Sequence, residues 1–287
     1  MTSQIETLIE INLDDLVNSF GWQNSPLLAR LLRILFRKPA EIFARHVVDY
    51  DDIVGSQGIV AGSWNLTRRY VKHLRILNAD RVPDSAFLAL SNHPGMTDTL
   101  ALFAALNRDD LHIIALDRPF LNSLPHTTRQ LFYVYDDPAK RMTLVRQVSA
   151  HLKKGGATLT FPAGHIEPDP DVYPGAVESL KKWTDSVGVF LRMAPEAAIL
   201  PVLTRNVVAK KYANHWLLSI KKTREEKEKL ATALQLLGMI LFNEKPVTVT
   251  VQIGRPIYAK DLGTTNGDVI HQAVLAEMKR LIENPNL

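Results

Sequence analysis

The sequence points to an α/β protein, a mixed and largely parallel sheet flanked by helices, with an N-terminal helical region ahead of it. Three observations lead there. Five short apolar runs of strand length occur at Ala86 to Leu90, His112 to Leu116, Leu131 to Tyr135, Ala157 to Phe161 and Ile199 to Leu203. Most are separated by stretches with helical spacing, at Thr97 to Asn107, Pro138 to Lys154 and Gly175 to Arg192. Upstream of Pro83-Asp84 only helical patterns are found. Strands that alternate with helices build a mainly parallel sheet, because a parallel pair needs a crossover connection.

Taken in order, the first long helix opens at Ser25-Pro26, with proline in the first turn, where its missing N–H costs nothing. From Leu27 to Val48 apolar residues recur at helical spacing, with Arg30, Arg33, Arg37 and Lys38 between them, and Pro39 is expected to break or kink the helix. A second basic helix is expected over Leu66 to Leu77, carrying Arg68, Arg69, Lys72, His73 and Arg75. Residues 1–77 are therefore expected to form a helical lid or membrane-contact region, and residues 78–287 the α/β domain. Pro201 suggests an end or edge position for the Ile199 to Leu203 strand. Trp216 to Ile220 and Val247 to Ile253 read as later strands, and the alternation of Val, Thr and Gln in the second suits an edge. A charged-then-apolar helix over Thr223 to Phe242 separates them, and a helix over Gly267 to Ile282 closes the chain.

Composition narrows the function. The 287 residues, 46% hydrophobic and 22% charged, allow a sizeable core. Cysteine is absent, which excludes disulfides, thiolate metal sites and cysteine nucleophiles. His112, His126, His151, His215 and His271 lack paired spacing with acids on a helical face, so no metal is expected. The net charge of +4 implies mild attraction to anionic partners. The basic residues are dispersed among acids without aromatic interleaving, so no nucleic acid is expected. No apolar stretch reaches the roughly 18 residues of a membrane span. The first residues lack the basic-then-apolar order of a secretory signal. The expected location is cytoplasmic, peripheral at the inner face of the membrane. The basic amphipathic helix from Leu27 could lie in that interface, or pack its Leu stripe on the core with solvated arginines. Neither a Gly-x-Ser-x-Gly elbow nor a phosphate-cradling glycine loop is present.

The stretch Ala-Leu-Ser-Asn-His-Pro-Gly-Met-Thr-Asp, from Ala89 to Asp98, is the most informative. A strand ends, Asn92 and His93 follow at its carboxyl end, Pro94-Gly95 turns the chain, and Thr97-Asp98 begin a helix. Ligands of open α/β sheets collect outside the carboxyl ends of strands. The turn can return Asp98 to His93, where a carboxylate would fix the imidazole tautomer and stabilise its protonated form. An alcohol needs such a base before it can act as a nucleophile. Taken alone, the same residues also serve as a helix cap and a turn histidine. A second stretch, Thr158 to Glu167, places Phe161, Pro162, Gly164, His165 and Glu167 in a turn after another strand. Backbone amides near Gly164 could polarise an acyl carbonyl, or the segment is a plain strand-to-loop turn. His165 reads either as a second acid/base or as a hydrogen-bonding turn residue.

In order and spacing, these pieces resemble the glycerolipid acyltransferase superfamily, the PlsC-like lysophosphatidic acid acyltransferases and their relatives. That family carries an Asn-His-x4-Asp block, a later Phe-Pro-Glu-Gly-Thr-Arg block, and an apolar-Pro-apolar block. Asn92, His93 and Asp98 match the first; Phe161, Pro162 and Gly164 match the second in part; Pro201 matches the third. The resemblance covers about residues 78–206. It implies an O-acyltransferase in which His93, oriented by Asp98, activates a hydroxyl that attacks the thioester of acyl-coenzyme A or acyl-carrier protein. It implies no covalent acyl-enzyme and no metal or redox cofactor; the partners it implies are the acyl carrier and a lyso-lipid or related alcohol. The chain departs from the pattern at Ala163, His165 and Ile166, where the family has Glu, Thr and a phosphate-associated Arg. Glu167 is then the candidate substitute for the lost carboxylate, and Arg118 and Arg129 for the cation, although surface positions explain both arginines too. The acceptor is therefore expected to differ from lysophosphatidic acid, or to have its phosphate met by other residues. Two rival readings remain: a thioester hydrolase using the same pair, and a non-catalytic lipid-binding or membrane-docking protein.

Overall fold

A computed structural model describes residues 2–95, 97–135 and 137–286. The chain begins with helices α1 (Thr2–Phe20), α2 (Pro26–Gln57) and α3 (Ile59–Tyr70). The α/β part follows as β1 (His73–Leu77), β2 (Phe87–Ser91), α4 (Asp98–Leu106), β3 (His112–Leu116), α5 (Pro119–Asn122), β4 (Leu131–Val134), α6 (Pro138–Lys153) and β5 (Ala157–Thr160). It continues through α7 (Ala176–Ser179), α8 (Val187–Met193), β6 (Ala198–Arg205), α9 (Lys210–Ala213), α10 (Arg224–Phe242), β7 (Thr248–Ile253) and α11 (Gly267–Glu283).

The strands form one sheet in the order β1-β7-β6-β2-β5-β3-β4. β2 to β6 are mutually parallel; β7 is antiparallel to β6, and β1 parallel to β7, so these two run the other way. The fold is thus the mixed, largely parallel sheet expected. Both faces of the centre are covered. Phe87 and Ala89 of β2 and Leu200 and Val202 of β6 face a core shared with α3, α4 and Met239 of α10. Leu88, Leu90, Ile199 and Leu203 face a second core shared with α6, α8 and α11. Strands buried on both sides read as continuous apolar runs, which is why these were visible in the sequence.

Several expectations are corrected. Pro39 does not end its helix. α2 continues through it, because Ala40, Ala44, Val47 and Val48 pack against Leu8 and Leu13 of α1, and this packing outweighs one lost backbone hydrogen bond. The second basic helix ends at Tyr70; His73–Leu77 is strand β1, so the helical region stops short of residue 77. Trp216–Ile220 is a 3₁₀ segment, capped by the His215 ring, which accepts from the Leu217 N–H. β7 is interior, between β1 and β6. Its polar alternation marks a second covered face, where Gln252 donates to the Asn284 carbonyl oxygen at 2.8 Å. β6 is interior as well. Pro201 is tolerated there because the β6–β7 ladder breaks beside it: the Val202–Ile253 register shifts by one residue before the Ile199–Ile257 bridge. The stretch expected as one helix over Gly175 to Arg192 is two shorter pieces, α7 and α8, joined by a 3₁₀ turn at Leu180–Lys182.

Candidate active site

β2 ends at Ser91 and delivers Asn92 and His93 to the carboxyl edge of the sheet. Asn92 is buried and both its amide atoms are engaged: Nδ2 donates to the Thr204 carbonyl oxygen at 2.9 Å, and the Thr204 N–H donates to Oδ1 at 2.8 Å. Its side chain extends the β2–β6 ladder by one further rung. At 3% exposure and tied to β6, it holds the backbone next to His93, a positioning role in place of the substrate contact expected.

Pro94 and Gly95 then reverse the chain. Gly95 has φ +146°, a conformation that side-chain-bearing residues rarely adopt, and its N–H donates to Asp98 Oδ2 at 3.0 Å. The same Oδ2 lies 2.8 Å from His93 Nδ1. Oδ1 accepts from the Thr99 N–H at 2.5 Å and the Thr99 hydroxyl at 3.1 Å. Four donors thus converge on a carboxylate that is fully buried at the first turn of α4. Because a carboxylate only accepts, His93 Nδ1 carries the proton and Nε2 is left as the basic nitrogen.

The His93 side chain keeps 30% of its surface exposed, so part of the ring stays accessible although Asp98 lies against its Nδ1. Burial lowers its pKa, but the bonded Asp98 carboxylate, with a smaller contribution from Glu167, outweighs burial and leaves the value above the ordinary 6.5. The imidazolium is thereby stabilised, as a proton acceptor in a reaction requires.

The turn after β5 packs beside this one. The Phe161 ring stacks on the His93 ring with centroids 4.4 Å apart and planes at 24°. The Pro162 carbonyl oxygen accepts from the Thr184 N–H and hydroxyl, which fixes the turn. Gly164 has φ +67° with open space around it, and its N–H closes the turn on the Phe161 carbonyl oxygen at 3.0 Å. That amide is therefore taken up by the turn, which is the plain strand-to-loop alternative of the two readings. His165 Nδ1 sits 2.6 Å from the Ala163 carbonyl oxygen, the turn role rather than an acid/base pair.

Glu167 points inward. It is 1% exposed; Oε1 accepts from the Trp183 indole N–H at 2.8 Å and the Ser179 hydroxyl at 3.0 Å, and Oε2 from the His93 N–H at 3.3 Å. Its own N–H donates to the His93 carbonyl oxygen at 2.8 Å. Burial raises its pKa against the pull of those bonds. It clamps the backbone of His93 from both sides and is a positioning residue, not a substrate ligand.

Neither arginine joins the pair. Arg118 follows β3, at the sheet edge that carries His93, but its charge faces Asp15 of α1. Arg129 precedes β4 and so lies at the opposite, amino edge. Sequence reasoning missed Thr99, Thr204, Ser179, Trp183 and Asp169. The last is a buried carboxylate that accepts from the N–H groups of Asn206, Val207 and Val208 and ties the loop after β5 to the end of β6. Only Thr99 had a local signal, its adjacency to Asp98. Among the described residues no three His, Asp or Glu side chains converge as a metal site would need. No described helix is long and apolar enough to cross a membrane.

No family model matches the chain, and no curated protein matches it. Among solved structures it is similar to the 1-acyl-sn-glycerophosphate (LPA) acyltransferase PlsC of Thermotoga maritima. The two are 16% identical over 98% of this chain and 94% of that one, with a TM-score of 0.45. A likeness of that degree leaves the chemistry of this chain to its own residues.

Proposed function

We propose that this protein is an O-acyltransferase that moves a fatty acyl group from acyl-coenzyme A or acyl-carrier protein to the hydroxyl of a lysophospholipid or glycerol-phosphate-like acceptor. The observation that carries the reading is the His93–Asp98 pair, at 2.8 Å, at the carboxyl edge of β2 with 30% of the His93 side chain exposed. The match of Asn92, His93, Asp98, Phe161, Pro162, Gly164 and Pro201 to the glycerolipid acyltransferase blocks supports it. In the reaction, His93 Nε2 takes the acceptor's hydroxyl proton as the oxygen attacks the thioester carbonyl carbon. The tetrahedral intermediate collapses, the C–S bond breaks, and the imidazolium returns the proton to the thiolate, so that an ester and a thiol leave. Asp98 orients the ring and Glu167 holds the backbone still.

An acceptor panel with labelled acyl-coenzyme A tests this. Transfer should need an alcohol, and His93→Ala should fold normally and lose about 10²–10⁴-fold in rate. Thioester loss that ignores the acceptor would make the protein a hydrolase. A His93→Ala enzyme that transfers at the parental rate would leave the reading without its base.

A lipid acceptor implies contact with a membrane, and the first half of α2 supplies a surface for it. Leu27, Leu31, Ile34 and Leu35 are 84%, 60%, 68% and 65% exposed. Lys221, in the segment after Trp216 and Ile220, abuts Gly21 at the α1–α2 turn, so those exposed apolar residues lie near the same end. Arg33 and Arg37, expected among anionic headgroups, instead bind Glu6, Glu10 and Asp14 of α1. The contact is therefore mainly apolar. Leu31→Gln with Ile34→Gln should reduce flotation with vesicles several-fold; undiminished flotation would remove α2 from the membrane.

A further inference from the structure

A cavity of about 770 Å³ lies between the C-terminal half of α2, α3 and the end of α10, outside the blocks that resemble any family pattern. Its location follows from the topology. β1 and β7 run against the other strands, so their amino ends share the sheet edge where β2 presents His93. Tyr70 and Lys245, which precede those two strands, line the cavity. α10 connects the two places. A side chain at Gly95 would touch Thr232 of α10, and Met239, further along the same helix, and Asn243, which caps its end, line the cavity. At 1.5 Å per residue they lie about 10 and 16 Å from Thr232.

The lining has two characters. Ile53, Met239 and Ile240 supply apolar lining together with the Trp64 ring. Arg68, Arg69 and Lys245 supply cationic lining, and no lining residue is acidic. Arg69 is paired with Asp49 outside the cavity at 3.2 Å. The Arg68 guanidinium lies over Trp64, 5.2 Å from the ring centroid, with no carboxylate partner among the described residues. The Lys245 ammonium donates to the Arg68 carbonyl oxygen at 2.5 Å and likewise has no described carboxylate partner. Both cationic side chains thus line one half-apolar cavity without a described carboxylate partner, so an anion entering it meets uncompensated positive charge. Asn65 adds a buried side-chain oxygen without a partner among the described residues, a seat for a hydroxyl.

We propose that this cavity binds the phosphate-bearing end of a substrate, Arg68 and Lys245 gripping the phosphate ester while Trp64, Ile53, Met239 and Ile240 cover the non-polar group beside it. The proposal rests on the acyl-transfer reading for which substrate that is. Coenzyme A on the donor side and a lysophosphatidate on the acceptor side carry the same chemistry. It also answers the departure at Ile166, where the family's phosphate-associated arginine is missing.

Calorimetric titration of the full chain with coenzyme A and, separately, with a short-chain lysophosphatidate below its micellar concentration tests it. At least one ligand should bind the parent and His93→Ala equally. The same ligand should bind the double variant Arg68→Gln/Lys245→Gln about 10- to 100-fold more weakly, the loss of one or two charge-assisted hydrogen bonds. Both substituted residues are exposed, so the variant should keep its circular dichroism spectrum. Weakened coenzyme A binding assigns the cavity to the donor, and weakened lysophosphatidate binding to the acceptor. The proposal is overturned if neither ligand binds, if the double variant binds both as the parent does, or if Lys153→Gln/Lys154→Gln, which removes as much charge elsewhere, weakens binding equally. Failure here with acyl transfer intact leaves the active site standing. Conversely, charge-dependent binding without transfer to any acceptor removes the active-site reading alone.

Discussion

The two strand-end turns that meet at the site have similar sequences and opposite roles. After β2, the turn from Asn92 to Asp98 leaves the His93 ring partly exposed, with its orienting carboxylate against Nδ1. After β5, the turn from Phe161 to Glu167 uses its polar groups within the scaffold: the Gly164 N–H closes the turn, His165 meets a backbone carbonyl, and the buried Glu167 binds Trp183 and Ser179. The difference lies in the direction each carboxylate faces. Asp98 holds a ring, whereas Glu167 holds a backbone. A departure from a family pattern in the second turn is therefore first a change of scaffold, and the geometry of the first turn is kept because the clamp on His93 survives.

The most damaging change to this contrast is Asp98→Asn, which removes the charge under the ring and keeps the shape. A loss of about 10²-fold or more in transfer is expected, with an altered pH profile. His93 acts as a base only when deprotonated, and its pKa lies above 6.5, so the parental rate should fall as pH drops through a value higher than that. The substitution takes away the larger raising interaction and leaves burial, which lowers the pKa, opposed only by the smaller Glu167 contribution, so the acid limb should move to lower pH. A limb that stays in place would mean that another group titrates. A smaller effect is expected at the clamp. Glu167→Ala leaves the Trp183 indole N–H and the His93 N–H without partners, which should cost about 1–3 kcal/mol in denaturant unfolding. Transfer should slow but stay well above that of His93→Ala. Unchanged stability with a rate as low as that of His93→Ala would instead make Glu167 part of the chemistry. The smallest effect belongs to His165→Ala. Its ring makes one contact with a local carbonyl, so the rate should change by less than about 3-fold, within the range of one weak hydrogen bond. A large fall would reinstate it as a second acid/base.

What was visible in the sequence and what was not divide along physical lines. The central strands were found because two covered faces force an unbroken apolar run. The His93–Asp98 contact was found because five residues and a Pro-Gly turn determine it locally. β1 was misassigned because His73–Leu77 is basic and half-exposed, and its strand state comes from pairing with β7, about 175 residues away by the His73↔Thr248 register. β7 and Pro201 were placed at edges because alternation and proline report what a strand can pair with on one side, while lateral neighbours are chosen by the whole sheet.

Local sequence was enough to set the α/β class, the turn that aims His93 at the carboxyl edge, and the acid that orients it, since each depends on neighbours within a few residues. Closure of the chain was needed to make Asn92 a rung to Thr204, 112 residues away. The same closure lets Glu167 clamp the backbone of His93, 74 residues earlier. Arg68 and Lys245 are brought together in the same way. Those roles come from which buried donor finds which acceptor in the finished fold, a choice that no local pattern encodes.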